Sequence, residues 1–202
     1  MAKPEHTGPV PVGRDADEYD RQRRRVLWSM PTGIYILGSR SEGRRNMMTC
    51  NWAVQVATAP KLVAVSVEVG SLTRALVDEG GSFTLSILAR SDRALVRRFV
   101  KPVDEVELDG DGRATSLQGV PVHEVVLGLP CVSSAMSWMA CVVRHTLDWD
   151  RGAGDGASHV LYVGEVVDVG EREASDSPTP DSPLSEGPSV LQMGDTRMNY
   201  GG

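Results

Sequence analysis

The chain has 202 residues, 41% of them apolar and 24% charged, which suits one globular domain, or one domain with a tail, able to bury a substantial core. A net charge of -6 excludes nucleic acid and anionic membrane lipid as general partners, because both repel an acidic chain. The three cysteines, Cys50, Cys131 and Cys141, have no CxxC spacing and no histidine-rich partner set, so neither a zinc site nor a disulfide framework is indicated, and reduced thiols in a cytoplasmic protein are expected.

In chain order, residues 1–16 are rich in Pro, Gly and charge and read as a flexible N-terminal arm. They hold no apolar core for a signal peptide, and no later apolar run approaches the roughly 18 residues that span a bilayer. Residues 17–28 (DEYDRQRRRVLW) read as a short helix with acids at its start, ended by Pro31-Thr32-Gly33. Its run Arg21, Arg23, Arg24 and Arg25 is a solvated helix face or a small anion site.

GIYILG is a compact apolar run bounded by glycine and reads as a buried strand. Gly38–Arg45 is expected to turn, and NMMTCNWAVQVAT to form one extended segment closed by Ala59-Pro60. LVAVSVEV is the clearest strand, dense in β-branched residues. SLTRALVDEGG reads as a helix ended by Gly80-Gly81, and SFTLSIL as an alternating strand with Phe83, Leu85 and Ile87 on one face. RSDRALVRRFV returns to helical spacing through Leu95, Val96 and Phe99.

Residues 101–120 read as a loop. VPVHEVVLG, the long CVSSAMSWMACVVRHTLDWD and HVLYVGEVVDVG are then strands, with the glycine-rich RGAGDGAS turn before the last. Residues 171–188 are a Ser/Pro-rich linker, and 189–202 recover apolar and aromatic character as a docking tail. The order lacks βαβα alternation, GxGxxG and GxxxxGK[ST], which argues against doubly wound and P-loop folds. A closed or partly closed antiparallel barrel with helices at its ends fits the order of elements.

Three places carry candidate chemistry. Thr49-Cys50-Asn51-Trp52, inside an extended segment, offers small polar groups that let backbone approach a flat ligand, or it is a strand with polar residues facing water. Ser71-Leu72-Thr73-Arg74 opens a helix, where free N–H groups, hydroxyls and a guanidinium suit phosphate, or it is an ordinary N-cap beside an exposed arginine. His159, after the glycine-rich turn, could relay a proton beside a ring or serve only structure. Cys50 has no base or orienting acid assigned to it, so a small buried residue is favoured over a nucleophile.

Taken in order, MTCNWAVQVATAP, VAVSVEVGSLTRAL, SFTLSIL, RALVRRF and Ser158-His159-Val160-Leu161-Tyr162-Val163-Gly164-Glu165-Val166 resemble the flavin reductase-like family, the FMN-binding split barrels. The resemblance covers roughly residues 24–170, and the ending Asp195–Gly202 also looks like a family tail. The family's G-D-H reads Ala157-Ser158-His159 here, and residues 171–188 match no family motif.

The resemblance implies a mainly β fold with short helices: a six-stranded antiparallel, Greek-key-like split β-barrel spanning residues 17–170, paired as a homodimer. It implies bound FMN, or FAD, with NADH or NADPH as electron donor. Thr49, Cys50, Asn51 and Trp52 would line the flavin ring; Ser66, Ser71, Thr73 and Arg74 would lie near the ribityl chain and phosphate; His159 would lie near the ring or the nicotinamide. The expected activity is NAD(P)H-dependent flavin reduction, supplying a partner monooxygenase or another acceptor. The alternative is an FMN-binding electron carrier or flavin store without nicotinamide activity.

Overall fold

The computed structural model describes residues 9–148, 158–172 and 189–196. Half of the expected N-terminal arm, nearly all of the glycine-rich turn and linker, and the end of the tail lie outside the described residues.

Helix α1 (Ala16–Trp28) starts where the Asp15 carboxylate accepts the Glu18 N–H at 2.9 Å, with Asp17 and Glu18 in its first turn and Arg25 in its last. It buries none of its residues. Strands β1 (Tyr35–Ser41) and β2 (Arg44–Cys50) form a hairpin through Glu42-Gly43. Both turn residues have positive φ, 47° and 82°, the geometry of a two-residue turn whose twist matches the strands.

Strand β3 (Ala53–Thr58) turns through a cis Ala59-Pro60 bond into β4 (Lys61–Glu68). Helix α2 (Leu72–Gly80) is capped by Ser71, whose hydroxyl accepts the Arg74 N–H at 3.1 Å, and ends on Gly81 in the left-handed region at φ 63°. Strand β5 (Ser82–Ile87) follows, then two short 3₁₀ turns, Arg90–Asp92 and Leu95–Phe99. Strands β6 (Val106–Leu108), β7 (Ala114–Leu117), β8 (Val120–Glu124) and β9 (Pro130–Val132) are short, whereas β10 (Ser137–Leu147) and β11 (His159–Glu171) are long.

The strands form a seven-stranded sheet in the order β2-β1-β5-β10-β11-β4-β3 and a four-stranded sheet in the order β6-β7-β8-β9, all antiparallel. The mainly β, antiparallel expectation holds; the expected six-stranded barrel is corrected to these two sheets. Two local effects explain the difference. The segment read as one extended piece is two strands, since Cys50 pairs with Tyr35 on β1 whereas Ala53 pairs with Val65 on β4. The stretch read as a loop holds β6 and β7, whose three and four residues and bulge at Glu107/Leu108 leave almost no periodic signal. The RALVRRF helix is likewise a 3₁₀ turn, with only Val96 and Phe99 buried.

The two edge strands of the large sheet, β2 and β3, are consecutive in the chain, separated only by Asn51 and Trp52. The three steps from Cys50 to Ala53 reach about 10 Å, so the sheet must curl until its edges meet at that corner.

Two apolar clusters fill the interior. One contains Ile36, Met47, Leu88, Phe99, Leu117, Val122 and Leu191; the other contains Leu37, Val65, Val77, Phe83, Leu85 and Tyr162. Neighbouring Ile36 and Leu37 serve different clusters because successive strand side chains point to opposite faces. Strand β1 is therefore buried on both faces, which its continuous apolar run reflects. On β5, Phe83 and Leu85 face one cluster while Thr84 and Ser86 turn to β9, donating to Pro130 O at 2.7 Å and accepting from Val132 N–H at 3.1 Å. Among the described residues no helix is long and apolar enough to cross a membrane.

Candidate active site

The corner where the sheet edges meet is one wall of a cavity of about 900 Å³. Met48 to Trp52 come from the end of β2, Ser66 and Glu68 from the end of β4, and His159 from the start of β11. Arg24, Leu27 and Trp28 of α1, the following Ser29–Thr32, and Phe99 and Val100 also line the cavity. A C-terminal strap completes it through Gln192, Met193 and Gly194.

Backbone pairing fixes the corner. Ser66 N–H donates to Trp52 O at 3.0 Å, holding the β2–β3 junction against β4. His159 pairs with Glu68 across β11 and β4, and Val69 N–H donates to Ser158 O at 2.9 Å. These bonds bring His159 to Trp52, with ring centroids 4.7 Å apart in an edge-to-face arrangement. Ser158 Oγ lies 2.8 Å from His159 Nδ1. The strap is fixed by Leu191, fully buried, by its N–H to Leu88 O at 2.9 Å, and by Met193 N–H to Thr32 O at 3.0 Å.

The site is apolar with few charges. Burial pushes the Cys50 thiol up to about 12, only partly offset by a backbone hydrogen bond at Trp52. It is therefore a neutral thiol and no nucleophile. Burial lowers the His159 pKa below 6.5 while Glu68 opposes the shift, so the imidazole is neutral at pH 7. Thr49 is buried and its hydroxyl donates to Val96 O at 2.6 Å, which leaves lone pairs but no proton for a ligand. Trp52 keeps 45% of its surface exposed.

Six of the nine residues singled out in the sequence line this cavity: Thr49, Cys50, Asn51, Trp52, Ser66 and His159. Ser71, Thr73 and Arg74 stand apart from its lining, beginning three residues beyond Glu68. Thr73 Oγ1 accepts Asn46 Nδ2–H at 2.8 Å. Arg74 donates to Asp148 at 2.7 Å and to Asp78 at 3.4 Å, and Asp78 also accepts the Tyr162 hydroxyl at 2.6 Å. Sequence reasoning missed Trp28, Glu68 and Phe99, which reach the cavity through tertiary contacts. Arg24 carried a signal only as part of the arginine run, and Gln192–Gly194 only as part of the tail expected over 189–202.

A family model described as "Flavin reductase like domain" matches residues 27–191. The chain belongs to the flavin reductase-like family. It is 28% identical over 154 residues to "Flavin reductase (NADH)" of Kitasatospora aureofaciens, covering 76% of this chain and 73% of that protein. It is 28% identical over 153 residues to "NADH-dependent flavin reductase StyB" of Pseudomonas fluorescens, covering 75% and 79% respectively. Among solved structures it is similar to the styrene monooxygenase flavin reductase of Pseudomonas putida S12, with a TM-score of 0.57, 25% identity and coverage of 74% of this chain and 86% of that one.

The residues of this flavin reductase-like cavity fit a flavin. A ring of that kind needs a flat apolar wall, polar groups at one edge and room to enter. The exposed Trp52 indole offers the wall, Asn51 and Ser66 offer donors and acceptors, and about 900 Å³ falls within the roughly 300–1,000 Å³ of small-molecule sites.

Proposed function

We propose that this flavin reductase-like protein transfers a hydride from a nicotinamide nucleotide, NADH above all, to a flavin bound at the Thr49–Trp52 corner, and that the reduced flavin serves a separate monooxygenase. The observation that carries the reading is the corner itself: an exposed indole, an amide and a neutral imidazole converge on one cavity, with no activated nucleophile among them. Two relatives named as NADH-dependent flavin reductases, and the likeness to a monooxygenase's flavin reductase, support the donor and the acceptor.

When bound, the flavin supplies the two-electron acceptor for the hydride. The protein's part is placement. Trp52 supports the ring, Asn51 and Ser66 meet its polar edge, and Thr49 offers only acceptor lone pairs. Cys50 lets the backbone come close without reacting. Neutral His159 can hold or release a proton at Nε2 while Ser158 occupies Nδ1. Phe99 and Met30 add apolar side chains to the cavity lining. Ser71, Thr73 and Arg74 form the anion-binding end, with FMN as the preferred flavin and FAD as its larger relative; Arg74 exchanges a carboxylate partner for phosphate there.

The working unit we propose is a homodimer in the cytoplasm. Edge strand β3 exposes Val54 and Val56, 61% and 51%, beside an apolar groove of about 330 Å³ lined by Leu62, Leu85, Met139 and Val166. An unpaired apolar edge is a surface that a two-fold copy covers. Three unpaired, buried cysteines suit a reducing compartment.

Anaerobic mixing with FMN and excess NADH tests the activity. The flavin band at about 450 nm should bleach, faster with NADH than with NADPH. A protein that binds no flavin, or holds it without bleaching under either nucleotide, refutes the reading. Light scattering should give twice the 21.8 kDa chain mass, and a monomer at micromolar concentration refutes the dimer.

A further inference from the structure

Among the described residues lining the cavity, Arg24 is the sole permanent cation and Glu68 the sole carboxylate. Arg24 belongs to α1, and with Leu27 and Trp28 it forms an i, i+3, i+4 set, so one helix face looks into the cavity. That face is apolar apart from the guanidinium, and it stays open: Leu27 is 63% and Trp28 45% exposed. The guanidinium is oriented rather than loose, since Arg24 Nε meets the Asp20 carboxylate at 3.2 Å one turn earlier. A cation beside an exposed indole, four residues apart on one rigid helix, matches a nucleotide, whose phosphates want a guanidinium and whose rings want an aromatic face.

We infer that α1 is the docking face for the electron donor: Arg24 binds the diphosphate of the nicotinamide dinucleotide, and Trp28 packs against one of its rings. This rests on the reading of the cavity as a flavin reductase site. The assignment follows from charge and position. The chain carries a net charge of -6, so a doubly anionic dinucleotide meets overall repulsion and needs a local cation at its site. Arg74, the other candidate cation, stands outside the lining and is held by Asp78 and Asp148. The two arginines thus divide the anions, Arg74 serving the flavin and Arg24 the donor. Helix α1 lines the same cavity as the Trp52–His159 corner, so a donor held on Arg24 and Trp28 shares one cavity with the proposed flavin wall.

The test compares wild type, R24Q, R24K and R25Q. Gln and Lys are close to Arg in helix propensity, and Arg25 is exposed outside the cavity lining, which makes R25Q the control. Binding of ADP-ribose is measured directly by calorimetry, FMN binding by flavin fluorescence, and the KM for NADH by turnover. In R24Q, ADP-ribose affinity should fall, and the KM for NADH rise, by about tenfold or more, the scale of one charge-assisted hydrogen bond. FMN affinity should stay within about twofold, R24K should recover part of the loss, and R25Q should match wild type. Reduced nicotinamide riboside, which lacks phosphate, should be used equally by wild type and R24Q. The inference is overturned if wild type binds no ADP-ribose, if R24Q binds it as wild type does, or if R24Q weakens FMN instead. Failure of the flavin reductase reading shows separately, as a wild-type protein that takes up no FMN.

Discussion

Trp52 and His159 stand 107 positions apart in the chain, yet their rings meet edge to face with centroids 4.7 Å apart. The contact joins the β2–β3 corner to the first residue of β11, the two places from which the proposed flavin wall is built. Ser158 Oγ lies 2.8 Å from the imidazole Nδ1, and Ser66 N–H donates to Trp52 O, which holds the backbone that carries the indole.

Trp52→Ala should therefore weaken FMN binding by about tenfold, the scale of losing one aromatic stacking partner. Because Trp52 is 45% exposed, the urea midpoint should move little, by about 0.5 kcal/mol or less. Fluorescence titration with FMN and a urea melt separate the two effects, and an unchanged FMN affinity would remove Trp52 from the ring wall.

His159 sets a direction for pH dependence. Burial lowers its folded pKa below the ordinary 6.5, with Glu68 pulling the other way. The folded state therefore holds fewer protons than the unfolded chain in the window below 6.5. Stability from this group is complete above that value and falls as pH drops through the window toward the folded pKa. His123 is lowered by burial as well, so the comparison must be with His159→Gln in an otherwise intact chain. Urea midpoints between pH 7.5 and 5.5 should decline less steeply in H159Q, and equal slopes would show that His159 does not contribute.

Cys50 should be inert. Its thiol sits near 12, and Cys131 and Cys141, also buried, sit at about 11 and about 12. Iodoacetamide at pH 8 should label none of the three in the native protein and all three in guanidinium. Cys50→Ala should keep flavin reduction within about threefold, less than 1 kcal/mol of barrier. Native labelling of Cys50 with loss of activity would reinstate it as a nucleophile.

The strap should matter to both fold and site. Leu191 is fully buried among Ile34, Leu88 and Val96, so Leu191→Ala should cost about 2–5 kcal/mol. The same change loosens Gln192–Gly194 at the cavity, so FMN should dissociate faster in L191A at temperatures where the protein remains folded. A melt together with stopped-flow FMN release reads both, and an unchanged release rate would make the strap a support of the core alone.

Much of the candidate site was legible because strand residues announce themselves locally. Thr49-Cys50-Asn51-Trp52 interrupts an apolar extended run with small polar groups, and Ser71 before a helical pattern marks an N-cap; the structure puts the first set on the cavity wall and Ser71 at the start of α2. The break between β2 and β3 was not legible, because both halves are extended and only pairing partners distinguish them. The β6–β7 hairpin escaped for lack of length, and the 3₁₀ turn at Leu95–Phe99 shares apolar spacing with an α-helix.

By itself the sequence determined that the protein is mainly β, acidic, without a zinc or disulfide pattern, and similar to flavin-binding proteins; composition, periodicity and short motifs are local properties that survive without a fold. Only the tertiary structure decided that a seven-stranded sheet curls until Trp52 meets His159, that Arg24 rather than Arg74 faces the cavity, and that Gln192–Gly194 complete its wall. Those are contacts between residues far apart in the chain, set by strand pairing and by the burial of Ile36, Leu88 and Leu191 in one core, and no local pattern encodes them.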